Sequence, residues 1–131
     1  MTTKSSGFTL IELLVVVAIL GILSTVGIIS YQGYISGAKQ KSVENAMQQI
    51  SLAQTEEYSN SGEYFTQICE DGPSDTSTAQ IELVLFAGGD VISKDSGYEV
   101  CIVADDTSYI IQASNGKKTI TMTANGIWTG K

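Results

Sequence analysis

The apolar and polar positions of this chain fall into three regimes. Gly7 to Ile29 reads GFTLIELLVVVAILGILSTVGII, an apolar run broken by one formal charge, Glu12. A helix needs about 20 apolar residues to cross a bilayer, and Phe8 to Ile29 supplies about that many. From Tyr31 to about Asn60 the pattern changes. Val43, Ala46, Met47, Ile50 and Ala53 recur at steps of three and four, the spacing of one buried helical face. Lys39, Lys41, Glu44, Gln48 and Gln49 occupy the other, wet positions. Counted from Phe8, one helix of about 53 residues is expected, roughly 80 Å at 1.5 Å per residue. No small domain buries a helix that long. Its first half must be covered by lipid or by other copies of the chain.

The third regime is strand-like. Ser59-Asn60-Ser61-Gly62 ends the helix, with Gly62 a good terminator. A loop is expected over 61–80. Ile81–Phe86 reads as a strand or a short helix, and Ala87-Gly88-Gly89-Asp90 as a turn. Tyr98–Val103, Ser108–Ala113 and Thr119–Ala124 are rich in β-branched and aromatic residues and bounded by turn clusters. Asp105-Asp106 and Asn115-Gly116 give tight connections, the second a strong hairpin signal. Thr119, Thr121 and Thr123 alternate with Ile120, Met122 and Ala124, which predicts one wet and one packed face. The fold class expected is therefore α+β. A long helix, apolar over 8–30 and amphipathic over 31–60, packs on a small antiparallel sheet within 81–131.

Composition narrows the classes. At 131 residues, the chain has room for one small domain beyond the apolar run. A net charge of −7 argues against direct binding to nucleic acid, which calls for a basic face. There is no histidine, so the commonest general base and metal ligand is missing. Cys69 and Cys101 are the only cysteines. A lone pair in an exported domain reads as one disulfide, against two buried free thiols in a cytosolic one. The loop closed would have about 30 residues, worth roughly 3–4 kcal/mol in the chain-entropy model. The apolar run exceeds the roughly 7–15 residues of a cleavable secretory signal. Lys4 on one side balances Lys39 and Lys41 on the other, so charge does not set the orientation.

Candidate chemistry is sparse. Asp71, Ser74, Asp75 and Thr76 supply oxygens of the kind calcium takes, but at no EF-hand spacing, and a solvated loop is the simpler reading. Asp105 and Asp106 are adjacent, which points their side chains apart and makes a turn, not a carboxylate dyad. No nucleophile constellation is present, so neither catalytic residues nor a metal or other cofactor is expected. Tyr58, Tyr64, Tyr98, Tyr109 and Trp128 are either an exposed patch or the core and rim of the sheet.

Gly7-Phe8-Thr9-Leu10-Ile11-Glu12, followed by the apolar run, resembles the class III signal of type IV prepilins and the related pseudopilins. The resemblance extends through YQGYISGAK, Tyr31 to Lys39. It implies that a prepilin peptidase removes residues 1–7 as a leader, cutting between Gly7 and Phe8, and that Phe8 is N-methylated. The short leader and the Phe8 start resemble the type IVa branch. The family's ladle fold is then expected, with 8–30 as transmembrane and filament-core helix and 31–131 as head. The resemblance further implies a single-pass precursor in the bacterial inner membrane, an assembly platform there, and an extracellular filament of identical subunits.

In that context Glu12 becomes an assembly residue. An acid inside an apolar segment is expensive and usually has a partner. Cleavage creates an amine at Phe8, and the amine of one subunit would neutralise Glu12 of its neighbour. Removing one member of a buried pair costs roughly 3–5 kcal/mol. The alternative is a Glu12 at the membrane interface, reaching water. Gly21, Gly27 and Gly33 each cost a helix about 1 kcal/mol relative to alanine, which favours local unwinding. Many pilins carry a proline where Ile29 stands here, whereas the single proline of this chain is Pro73. Gly33 and Gly37 form a G-x-x-x-G pair, but beyond the most apolar part. The reading is a major pilin, in a family whose filaments serve adhesion, twitching motility, DNA uptake and secretion. The alternatives are a minor pilin or pseudopilin and, more remotely, a membrane-anchored extracytoplasmic binding module.

Overall fold

The computed structural model describes residues 7–131. All of the expected leader except Gly7, and Lys4 with it, lies outside the described residues. The chain divides into two units, Met1–Gly37 and Ala38–Lys131. Helix α1 spans Leu10–Ser61 and α2 spans Asp75–Leu85; a short 3-10 turn covers Lys94–Ser96. The strands are β1 Glu99–Asp105, β2 Ser108–Ser114, β3 Thr119–Thr123 and β4 Trp128–Thr129. The arrangement is α+β, a long N-terminal helix and a small antiparallel sheet, as the pattern predicts.

Within the first unit α1 opens on a reciprocal cap. The Glu12 N–H donates to Thr9 Oγ1 and the Thr9 N–H donates to Glu12 Oε2, each at 3.2 Å. Two of the four orphan donors of a helix start are thereby satisfied. The helix is uninterrupted through Gly21–Ile29.

In the second unit the four strands form a meander in the order β1-β2-β3-β4. Register places Val100 beside Ala113 and Ala113 beside Ile120; Ile102, Ile111 and Met122 form a parallel row. These six are buried in one core with Val43, Ala46, Met47 and Ile50 of α1 and Ile81 of α2. The alternation expected of β3 holds, with Ile120 and Met122 buried. The hairpin at Asn115-Gly116 is wider than a two-residue turn. Asn115 Oδ1 accepts from the N–H groups of Lys117 and Lys118, at 2.9 and 2.7 Å, and so closes the connection over Asn115–Lys118.

Three expectations need correction. The segment 61–80 is not all loop, because α2 begins at Asp75. Ile81–Phe86 resolves as the end of that helix, so the sheet occupies only Glu99 onward instead of all of 81–131. The capping box there uses Ser74 and Ser77: the Ser77 N–H donates to Ser74 Oγ at 3.2 Å and the Ser74 N–H to Ser77 Oγ at 2.9 Å. A serine in place of the usual Glu or Gln at the third position hides this start from pattern reading. Glu44, expected on the wet face, is only 3% exposed. Lys41 Nζ lies 3.1 Å from its carboxylate and Lys131 Nζ 4.0 Å, and Gln40 donates to it at 3.4 Å.

The outer edge of β1 is occupied by side chains and by the Gln67 backbone. Ser77 Oγ donates to the Val100 carbonyl at 2.6 Å, and the Val100 N–H donates to Thr78 Oγ1 at 2.9 Å. The Gln67 N–H donates to the Ile102 carbonyl at 2.7 Å, and the Ile102 N–H to Gln67 Oε1 at 3.2 Å. An edge strand capped in this way offers no template for a stray strand.

Candidate functional site

The residues singled out by sequence lie in separate places. At the N-terminus, Phe8 is 83% exposed, next to the Thr9–Glu12 cap. Every side chain from Gly7 to Tyr34 is exposed. Two hydroxyls in the middle of this stretch bond to its own backbone. Ser24 Oγ donates to the Leu20 carbonyl at 2.6 Å and Thr25 Oγ1 to the Ile22 carbonyl at 2.7 Å. A helix that satisfies its hydroxyls and its own backbone suits a solvent that cannot hydrogen-bond. The segment is long and apolar enough to cross a membrane.

Among the described residues, nothing packs closely on the glycines of the segment. A Cβ built on Gly21, Gly27, Gly33 or Gly37 meets no atom within 4 Å. Their cost to the helix, about 1 kcal/mol each, is not offset by any close packing on the chain itself.

In the second unit Cys69 and Cys101 form the disulfide, with Cα atoms 6.6 Å apart across a separation of 32 residues. It ties the 62–74 loop to β1. Ser74 is engaged in capping α2, and Asp75 and Thr76 lie in that helix's first turn. Among the described residues no group of three or more acidic or cysteine ligands could hold a metal ion. Asp105 ends β1, and Asp106 opens the two-residue turn into β2 with φ 55°.

The structure brings three of the five aromatics together. Tyr58 stacks on Tyr64 with ring centroids 4.7 Å apart, and Tyr64 meets Tyr109 edge-on at 4.8 Å. Tyr109 is buried, and its hydroxyl pairs with Ser51 Oγ at 3.0 Å. Burial raises the Tyr109 pKa, the Ser51 bond opposes that, and Tyr64 adds to it. Tyr98 is also buried; desolvation raises its pKa and the Glu44 charge adds to that. Trp128 instead carries Lys131 over its ring at 4.7 Å.

Gln54 is a residue that the periodicity does not reveal. It is fully buried, and its side-chain amide clasps the Phe65 backbone, donating to the carbonyl at 2.6 Å and accepting from the N–H at 2.8 Å. This folds the chain back after Gly62, which terminates α1 with φ 83° and an N–H to the Tyr58 carbonyl at 2.8 Å.

Comparison with known proteins finds similarity over about half of the chain. The family model described as the prokaryotic N-terminal methylation motif matches residues 2–28. A fimbrial protein of Neisseria meningitidis serogroup B is 42% identical over 64 residues, which is 49% of this chain and 38% of that protein. Type IV major pilin protein PilE1 of Neisseria gonorrhoeae is 41% identical over 64 residues, covering 49% of this chain and 39% of that protein. The matched stretch thus spans less than two fifths of these relatives' length. No solved structure matches at the same stringency.

Proposed function

We propose that this chain is a structural subunit of a type IV pilus, a major pilin, built to pack through its N-terminal helix into a helical filament. One observation carries the proposal. The helix behind GFTLIE is exposed along its apolar length, internally satisfied, and marked by a single acid. The methylation-motif match over residues 2–28 and the similarity to fimbrial and pilin proteins support the reading.

In this reading a prepilin peptidase cuts between Gly7 and Phe8 and Phe8 is N-methylated. The precursor spans the bacterial inner membrane once with its head outside, and the assembly platform there feeds subunits into the extracellular filament. Lipid covers the apolar helix before assembly, and sister helices cover it afterwards. Glu12 is the assembly residue. It caps its own helix through Thr9, and in the filament it accepts the charged amine of a neighbouring Phe8. Gly21, Gly27 and Gly33 let the helix unwind or let sister helices approach. The role is structural, with no catalysis and no cofactor.

The test uses surface fibres sheared from cells. Abundant fibres of this chain beginning at N-methyl-Phe8, read by mass spectrometry, are expected. In cells carrying Glu12→Leu the precursor should accumulate in the membrane while fibres fall to background. Normal fibre yield from that variant would falsify the pairing of Glu12 with the amine. Trace abundance in wild-type fibres would remove the major-subunit role.

A further inference from the structure

Beyond the filament, the second unit carries a cavity of about 410 Å³ with an unusual wall. Its lining includes Tyr58 and Tyr64 together with Glu63, Asp106, Thr107 and Ser108. Pockets of about 300–1,000 Å³ with aromatic walls and a few converging polar groups are the usual form of small-ligand sites.

The aromatic wall is held in place. Tyr58 is 49% exposed, yet its ring stacks on Tyr64, which meets buried Tyr109 edge-on. Tyr109 is itself tied to α1 through Ser51. A surface ring braced through two others loses little freedom when a ligand arrives. Asp106 sits in the left-handed region at φ 55°, which Asp and Asn adopt more readily than other non-glycine residues. The turn thus sets an acidic residue in the cavity lining.

Charge selects the ligand class. Glu63 and Asp106 contribute two acids, and no lysine lines the cavity. The chain as a whole carries −7, which raises the local concentration of cations. A metal ion such as calcium is drawn to clustered acids, and among the described residues no group of three or more acidic or cysteine ligands comes together. An organic ammonium suits both wall types, since ring faces attract it through their quadrupoles and the carboxylates through its charge. A neutral ligand would use the rings and hydroxyls and gain nothing from the acids.

We propose that the cavity between Tyr58, Tyr64, Glu63 and Asp106 binds a methylated or quaternary ammonium group. The site requires only the second unit and stands or falls apart from filament assembly.

The test uses the full chain in a nonionic detergent, with isotope-labelled tyrosine rings followed by NMR. Choline is the probe. Its neutral isostere, with carbon in place of the quaternary nitrogen, is the control, at matched ionic strength. Saturable shifts at the Tyr58 and Tyr64 rings with choline, and none with the isostere, are expected. Tyr58→Leu should abolish binding, and Asp106→Asn should weaken it by about fivefold, in line with one lost charge contact at an exposed site. Asparagine tolerates the left-handed conformation, so Asp106→Asn keeps the turn. Unchanged methyl signals of Ile120 and Met122 establish that a variant is folded. Equal response to the isostere, no saturation with choline, or wild-type binding by folded Asp106→Asn would each overturn the proposal.

Discussion

Gln54 shows how much one buried polar residue can organise. On α1 it lies one turn beyond Ile50, where the apolar stripe predicts a hydrocarbon or, at the neighbouring step, Ala53. The structure buries the glutamine because both ends of its amide meet the Phe65 backbone. Replacement with a similarly sized apolar side chain would leave an N–H and a carbonyl without partners. Orphaned buried groups cost about 1–3 kcal/mol each. Gln54→Leu is therefore expected to lower the urea midpoint of the full chain in nonionic detergent, followed by Trp128 fluorescence. An unchanged midpoint would mean that Phe65 finds water instead. Glu44 makes the same point with charge. Its burial is tolerated because Lys41, Lys131 and Gln40 reach it from α1 and from the end of the chain. A residue one position along, Asn45, is exposed.

Among the elements, α2 and β1 depend on each other. α2 presents Ser77 and Thr78 to the sheet beside Ile81, so hydroxyls do what an apolar stripe does elsewhere. That choice satisfies the β1 edge and erases the helical periodicity from the sequence. Gln67 completes the edge, and the Cys69–Cys101 bridge fixes the loop that carries it. Cross-linking a loop of this size removes roughly 3–4 kcal/mol of entropy advantage from the unfolded chain. Double replacement of Cys69 and Cys101 by serine should lower the thermal midpoint accordingly, measured by circular dichroism in detergent. It should also raise hydrogen exchange at the Gln67 and Ile102 amides. Unaltered exchange there would show that Gln67 holds the edge without the disulfide.

The whole molecule is governed by two kinds of burial, one complete in the chain and one not. The core of the second unit closes over two tyrosines whose pKa values lie above the ordinary value of about 10. The sign follows from the neutral form being protonated. Below the unfolded value the stabilisation is fully present, and it is lost as pH rises from about 10 through the folded values. Stability should accordingly be flat across neutral pH and fall in the alkaline range. Phenolate absorbance is expected to rise with unfolding, with Tyr98→Phe and Tyr109→Phe moving the transition to higher pH. A transition that stays put in both variants would assign the alkaline loss to general charge repulsion. The apolar half of α1, by contrast, is exposed throughout among the described residues. What could be read from residues alone was whatever depends on neighbours in sequence: that apolar run, the GFTLIE start, the helical stripe of α1, the alternation of β3 and the pairing of a lone cysteine pair. Each arises from local periodicity, turn chemistry or count. The reciprocal Thr9–Glu12 cap, though local in spacing, emerged only from the structure. The placement of Glu44 and Gln54, the helix at Asp75–Leu85 and the tyrosine ladder required the folded chain. Gln54, Ser77, Thr78 and Tyr109 find partners beyond their own helical turn or strand, and Glu44, paired locally with Lys41 and Gln40, also meets Lys131 at the far end; no local pattern encodes where those partners will stand.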